Sequence, residues 1–105
     1  MKYLTRQEEL ILLAVFQLKD KAYLVTIREY LMERTGKNWS VGAVYVPLDR
    51  LRQFGYLDTR IGEPNAKRGR NQIKYYRLTK KSYEALDELK KISETFWAGF
   101  TEPAY

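Results

Sequence analysis

Residues 40–78 constrain the fold of this 105-residue chain more than any other stretch. Ser40 is a good N-cap for a helix whose apolar spacing continues to Gly55, and a glycine there is a natural stop. The segments 56–61 and 72–78 alternate apolar and polar residues as strands do. The ten residues between these segments are too many for a tight turn. The pattern therefore predicts a capped helix, a strand, a long loop and a second strand, in that order.

The positive charge of the chain is concentrated in the same region. Residues 40–81 contain ten Lys and Arg against three acidic residues, a net charge of +7, whereas the whole chain carries +6. A localised excess of cations is what binding to nucleic-acid phosphates requires. Together with the order of elements, it predicts a winged helix-turn-helix. In that fold one helix enters the DNA major groove, and a β-hairpin (the wing) lies beside it.

The composition excludes several other classes of protein. The chain has no cysteine and no histidine, so it has no disulfide and no thiolate or imidazole metal ligand. Its acidic residues are expected mainly on solvated helix faces, so we expect no catalytic site, no metal and no cofactor. The longest apolar run, Leu10–Phe16, is too short to cross a bilayer. A non-enzymatic, cytoplasmic protein with no membrane association is the expectation.

Two capping boxes predict the helices that precede the cationic region. Thr5 and Glu8 have the Thr-x-x-Glu spacing at the start of a helix that continues to about residue 19. Thr26 and Glu29 have the same spacing, and they predict a second helix that ends at Gly36. With the helix after Ser40, these make a three-helix core, and with the two-stranded wing the fold class is α+β.

The last helix has a different character. Thr79 is its expected N-cap, and its apolar residues cover about half of its circumference as far as Phe100. That face is wider than one small core needs, so we expect a homodimer. The expected organisation is a DNA-binding domain over residues 1–79, a dimerisation helix over residues 80–100, and a tail over residues 101–105.

The helix after Ser40 carries the candidate DNA contacts. At 100° per residue, Val41, Val44, Leu48 and Leu51 point inward, and Asp49 points outward. There Asp49 is expected either to pair with Arg50 or Arg52 or to accept a hydrogen bond from a cytosine amine. The candidate contacts are Ser40, Gly42, Ala43, Tyr45, Val46, Arg50 and Gln53 on this helix, and Lys67, Arg68, Arg70 and Lys74 in the wing.

Two segments resemble a known family. The run Ala43–Leu57 resembles the Tyr-Pro, Leu-x-x-Leu and Gly-hydrophobic-Leu/Ile block of the PadR (phenolic acid decarboxylase regulator) family, and Lys74–Thr79 is similar to its closing strand. The likeness covers residues 10–89. It implies a dimeric winged-helix transcription regulator related in fold to the MarR group. Because one helix follows the wing, the chain resembles the short subtype.

The end of the last helix carries a second candidate site. Leu89, Ile92, Phe96, Trp97 and Phe100 are expected to form either the dimer core or an effector pocket between subunits, since apolar cavities suit planar molecules. In some short PadR proteins a tryptophan one turn earlier, where this chain has Ser93, takes that role.

The sequence thus favours a sequence-specific regulator of transcription that binds double-stranded DNA. We expect this regulator to be a repressor that a small apolar or aromatic effector releases from DNA. The alternative is a winged-helix module for protein interaction or replication, without an effector.

Overall fold

The computed structural model describes residues 4–62 and 72–104. Within these ranges the chain forms four α-helices and a two-stranded sheet, the α+β winged-helix arrangement that the sequence predicts. The elements in chain order are α1 (Arg6–Leu18), a 3₁₀ turn (Lys19–Lys21), α2 (Leu24–Thr35), α3 (Val41–Gln53), β1 (Leu57–Ile61), β2 (Lys74–Leu78) and α4 (Lys80–Trp97).

The sheet is a short antiparallel hairpin. β1 pairs with β2 from Leu57 opposite Leu78 to Ile61 opposite Lys74. Tyr75 also makes an isolated antiparallel bridge to Tyr23, and the N–H of Tyr76 donates to the carbonyl of Ala22 at 2.8 Å. The hairpin is therefore held to the chain that connects α1 with α2. Both strands are shorter than the sequence predicts.

The core lies where α1, α2, α3 and the hairpin meet. The three helices and the hairpin all contribute apolar side chains to it. Each helix contributes them from one face, as the spacing of apolar residues along an amphipathic helix requires. The buried apolar residues are Ile11, Leu12, Ala14, Val15, Ala22, Ile27, Leu31, Val44, Leu48, Leu51, Leu57 and Tyr76.

Local capping chemistry explains where three helices begin. In α1 the backbone N–H of Glu8 donates to Thr5 Oγ1 at 3.1 Å, and Glu8 Oε1 accepts from the Thr5 N–H at 2.8 Å. Ser40 caps α3 by accepting from the N–H of Ala43, and Thr79 caps α4 by accepting from that of Ser82. Gly36 has φ +68°, the left-handed stop predicted for α2.

The prediction for the start of α2 was wrong. The helix begins at Leu24, so Thr26 lies inside its first turn and forms no capping box with Glu29. The bridge to Tyr75 holds Tyr23 extended, and the helix starts directly after it. The Thr26 hydroxyl instead accepts from the N–H of Tyr23 at 3.0 Å and donates to the carbonyl of Lys21 at 2.7 Å.

The last helix also ends earlier than expected. α4 stops at Trp97 rather than at Phe100, because the backbone of Ala98 is extended and Gly99 has φ +74°. Phe100 therefore lies beyond the helix. Its ring still makes an edge-to-face contact with that of Trp97, with 5.0 Å between the ring centroids.

Candidate nucleic-acid interface

The core fixes which face of α3 is available to a partner. Val44, Leu48 and Leu51 are buried, as predicted, and the face opposite them is exposed. Val41 was expected to point inward, but 53% of its surface is exposed. It is the first residue of α3, one turn before Val44, and lies outside the set of side chains that form the core.

The first two turns of α3 present small and apolar groups to solvent. Gly42, Ala43, Tyr45 and Val46 are all exposed, and 56% of the Val46 surface is accessible. A Cβ added to Gly42 would meet no atom within 4 Å. This end of the helix is narrow and unobstructed, which favours close approach to a groove.

The polar residues at the other end of α3 are bound to one another. Asp49 accepts from Arg52 Nη2 at 3.0 Å and from Gln53 Nε2 at 2.8 Å. The hydrogen bond from Arg52 is the main reason that the pKa of Asp49 lies below its usual value. Of the two arginines expected as partners of Asp49, it is Arg52 that forms the ion pair.

Arg50 points to a different element. Its guanidinium Nε lies 3.7 Å from Glu8 Oε2, and the Glu8 side chain is 8% exposed. The capping carboxylate of α1 is therefore also the ion-pair partner of a residue on α3. The sequence identified Glu8 as a capping residue only, because nothing local shows that α1 and α3 meet there.

A groove of about 300 Å³ separates α3 from the base of the wing. Tyr45 and Lys74 line it from opposite sides, with Val25 at the start of α2. Tyr76 also lines it, and burial of its ring raises the pKa of its hydroxyl. Lys74 and Tyr45, two of the predicted contacts, are thus brought to one place. Lys67, Arg68 and Arg70 lie outside the described residues.

The sequence did not identify two residues beside this face. Val25 and Val41 are both about half exposed near the tip of α3, although Val41 was expected to point inward. Both are apolar residues next to a capping position, a pattern that also fits burial. Tyr23 pairs with Tyr75, and α2 begins directly after it, so Val25 is the second residue of the helix.

The second candidate site is an exposed apolar surface on α4 and α1. Phe96 is 83% exposed and Trp97 63% exposed, whereas Leu89 and Ile92 are half-buried. Phe16 of α1 contacts Tyr83 of α4 edge to face at 6.3 Å, which joins the two helices. We call Leu13, Phe16, Tyr83, Leu89, Ile92, Phe96, Trp97 and Phe100 the α1–α4 apolar surface.

Other kinds of site have no support within residues 4–62 and 72–104. No group of three or more acidic side chains there is placed to bind a metal ion. None of the helices in the same ranges has both the length and the apolar content needed to span a membrane.

Comparison with known proteins identifies the fold. No family model matches the sequence, and no curated protein is similar to it at a significant level. Among solved structures, the chain superimposes on a PadR family transcriptional regulator from Eggerthella lenta with a TM-score of 0.70. That pair is 24% identical over 90% of this chain and 80% of the other.

Two further structures are similar. A PadR family transcription regulator from Clostridium difficile has a TM-score of 0.66 at 25% identity, over 90% of this chain and 92% of that one. RosR from H. salinarum has a TM-score of 0.72 at 20% identity, over 93% and 81%. The chain has the PadR winged-helix fold. The resemblance seen in the sequence is confirmed at the level of the fold, and the PadR structures are those of regulators rather than enzymes.

The ion pair on α3 leads to a test on duplex DNA. We expect Asp49→Ala to strengthen binding to non-specific duplex, because the change removes a carboxylate from the outward face and frees Arg52. The log–log dependence of affinity on salt should steepen by about one unit. Fluorescence anisotropy at several salt concentrations measures both quantities.

The matched control is Asp87→Ala, which removes a carboxylate paired with Lys91 at 3.0 Å on α4. It changes the net charge equally, but away from α3. Equal effects of the two substitutions would show that net charge alone, and not the outward face of α3, determines binding.

Proposed function

We propose that this chain is a sequence-specific regulator of transcription that binds double-stranded DNA. In this proposal residues 1–79 form the DNA-binding domain and residues 80–100 the dimerisation helix. The observation that carries it is the exposed outward face of α3, which lies beside the base of the hairpin. Ser40 caps the helix, and three buried residues anchor it to the core. The sequence of the hairpin is rich in cations. In winged helices this pair of elements contacts the major groove and the adjacent backbone.

The fold and the charge support the proposal independently of each other. Structures with the same fold include proteins named as PadR family transcriptional regulators. Residues 57–78, from the start of β1 to the end of β2, contain six of the ten cations of residues 40–81 and two acids, a net charge of +4 on the element that the proposal places against phosphates. Lys67, Arg68, Arg70 and Lys74 are the proposed wing contacts.

The test is binding to a random duplex library at two salt concentrations, followed by selection of the bound sequences. We expect enrichment of a pair of half-sites about one helical turn apart, because a two-fold dimer presents two copies of α3. Binding without enrichment, or no binding to duplex at low salt, would favour the alternative of a module for protein interaction or replication.

Lys74→Ala provides a sharper version of that test. Lys74 begins β2 beside the groove next to Tyr45, so we expect it to contact a phosphate. Its loss should weaken binding to all duplexes about equally, and it should reduce the slope of log affinity against log salt by about one unit. Lys91→Ala on α4 is the matched control and should leave the slope unchanged. A change in sequence preference without a change in slope would contradict the assignment to phosphate.

We also propose that the chain is a homodimer formed through the α1–α4 apolar surface. A monomer rarely exposes so many large aromatic side chains together. A second copy of the chain would cover them, because a two-fold dimer brings the same surface of each subunit together. Phe96→Asp should raise the dimer dissociation constant at least tenfold in sedimentation experiments, because it places a charge at the interface. Thr95→Asp adds the same charge to the neighbouring exposed residue and should have little effect. A wild-type protein that is monomeric at micromolar concentration would contradict the proposal.

The last part of the proposal is a repressor released by a small aromatic effector that binds between subunits near Trp97. Its support is the exposure of the Trp97 and Phe100 rings on the surface proposed for dimerisation, since an apolar cavity between subunits suits planar ligands. A planar aromatic effector should quench the fluorescence of Trp97 and weaken DNA binding together. Trp97→Phe leaves Trp39 as the reference fluorophore. Quenching that persists in this variant would place the ligand elsewhere.

A further inference from the structure

We propose that α3 recognises its half-site through the C5-methyl groups of thymine, with Val46 as the principal contact and the methyl group of Ala43 as a second. This inference rests on the proposed function and names the feature of the DNA that the outward face of α3 selects. Thymine is the base that presents a methyl group in the major groove, and apolar side chains contact it there.

The first step of the argument concerns hydrogen bonding. Bidentate recognition of guanine or adenine needs a free Arg, Lys, Asn or Gln on the face that enters the groove. On α3 the long polar side chains already have partners within the chain. Arg50 pairs with Glu8, and both Arg52 and Gln53 donate to Asp49. Using any of them on a base edge would first break one of these contacts.

The second step concerns the apolar groups. Val46 is 56% exposed, and Ala43 is also exposed. Their positions are three apart, so both side chains lie on the same side of the helix, about 4.5 Å apart along its axis. Gly42 lies on this side too and has open space where its Cβ would be. The backbone can therefore approach the floor of the groove closely enough for short apolar side chains to contact bases.

The third step concerns charge. Asp49 follows Val46 by three residues, so it lies on the same side of α3, and the hydrogen bond from Arg52 lowers its pKa and keeps it ionised. A carboxylate facing the N7 and O6 acceptors of guanine would leave both sides without a donor, and the Asp49 oxygens already accept from Arg52 and Gln53 instead of from a cytosine amine. Lys74 lines the groove between α3 and the base of the hairpin, where a cation is complementary to a phosphate. Duplex DNA with thymine facing the first turns of α3 matches both the apolar groups and the charge of this face.

The experiment replaces single thymines with uracil in the operator obtained by selection. Uracil keeps every hydrogen-bonding group of thymine and lacks only the methyl. We expect one or two positions in each half-site to weaken binding of the wild-type protein about fourfold, the equivalent of one buried methyl group. The other positions should change little.

The matching protein variant is Val46→Ala. It should bind the thymine operator about as weakly as the wild type binds the uracil operator, and uracil at the sensitive position should then cost nothing further. Thr95→Ala removes an exposed β-branched side chain from α4, away from α3, and should retain the full sensitivity to uracil. Val46 is exposed and alanine is a better helix former, so α3 should be retained, as circular dichroism would confirm.

Each outcome has one meaning. Uracil sensitivity that disappears in Val46→Ala and persists in Thr95→Ala supports the inference. A specific operator that tolerates uracil at every position overturns it and leaves the proposed function intact. Sensitivity that persists unchanged in Val46→Ala overturns the assignment to Val46. If no sequence is enriched from the library, the proposed function itself fails.

Discussion

The joint between the end of α3 and the start of α4 is the interaction on which the arrangement of this chain depends. The last carbonyls of a helix have no partner within it. Here the carbonyl of Phe54 accepts from Lys81 Nζ, and that of Gly55 accepts from Thr79 Oγ1, both at 2.6 Å. Gly55 has φ +83°, a conformation that glycine adopts without steric cost, and it allows the chain to turn sharply into β1. One set of contacts thus ends α3, begins the hairpin and anchors α4.

In the proposed dimer, this joint would connect the DNA-binding helix α3 to the dimerisation helix α4. The Lys81 ammonium also lies 4.5 Å from the centre of the Tyr56 ring, so the first turn of α4 is held from two sides. In the proposed dimer, a change in the angle between the two α4 helices would therefore carry the end of α3 with it. The distance between the two copies of α3 would change while each domain kept its own core. If both half-sites are engaged at once, as proposed, such a change would be sufficient for the proposed ligand near Trp97 to release the DNA.

The sequence predicted those parts of the structure that depend on local chemistry. The caps at Thr5, Ser40 and Thr79 and the stop at Gly36 each involve residues within four positions of each other, and all were predicted correctly. The start of α2 was not, because it depends on a bridge between Tyr23 and Tyr75, which are far apart in the sequence. In the candidate site, the ion pair of Arg50 with Glu8 and the exposure of Val41 likewise depend on where helices pack, which periodicity does not specify.

The distribution of charge separates affinity from specificity in this chain. Residues 41–53 carry two cations and one acid, and the pairing of Arg50 with Glu8 leaves α3 without free charge. Residues 57–78, from the start of β1 to the end of β2, carry six cations against two acids. Phosphate contacts supply the salt-dependent part of DNA binding and are independent of sequence. Binding strength in the proposed complex therefore comes chiefly from the hairpin. The neutral outward face of α3 adds little to attraction at a distance, and its shape and apolar groups matter only once the bases are in contact.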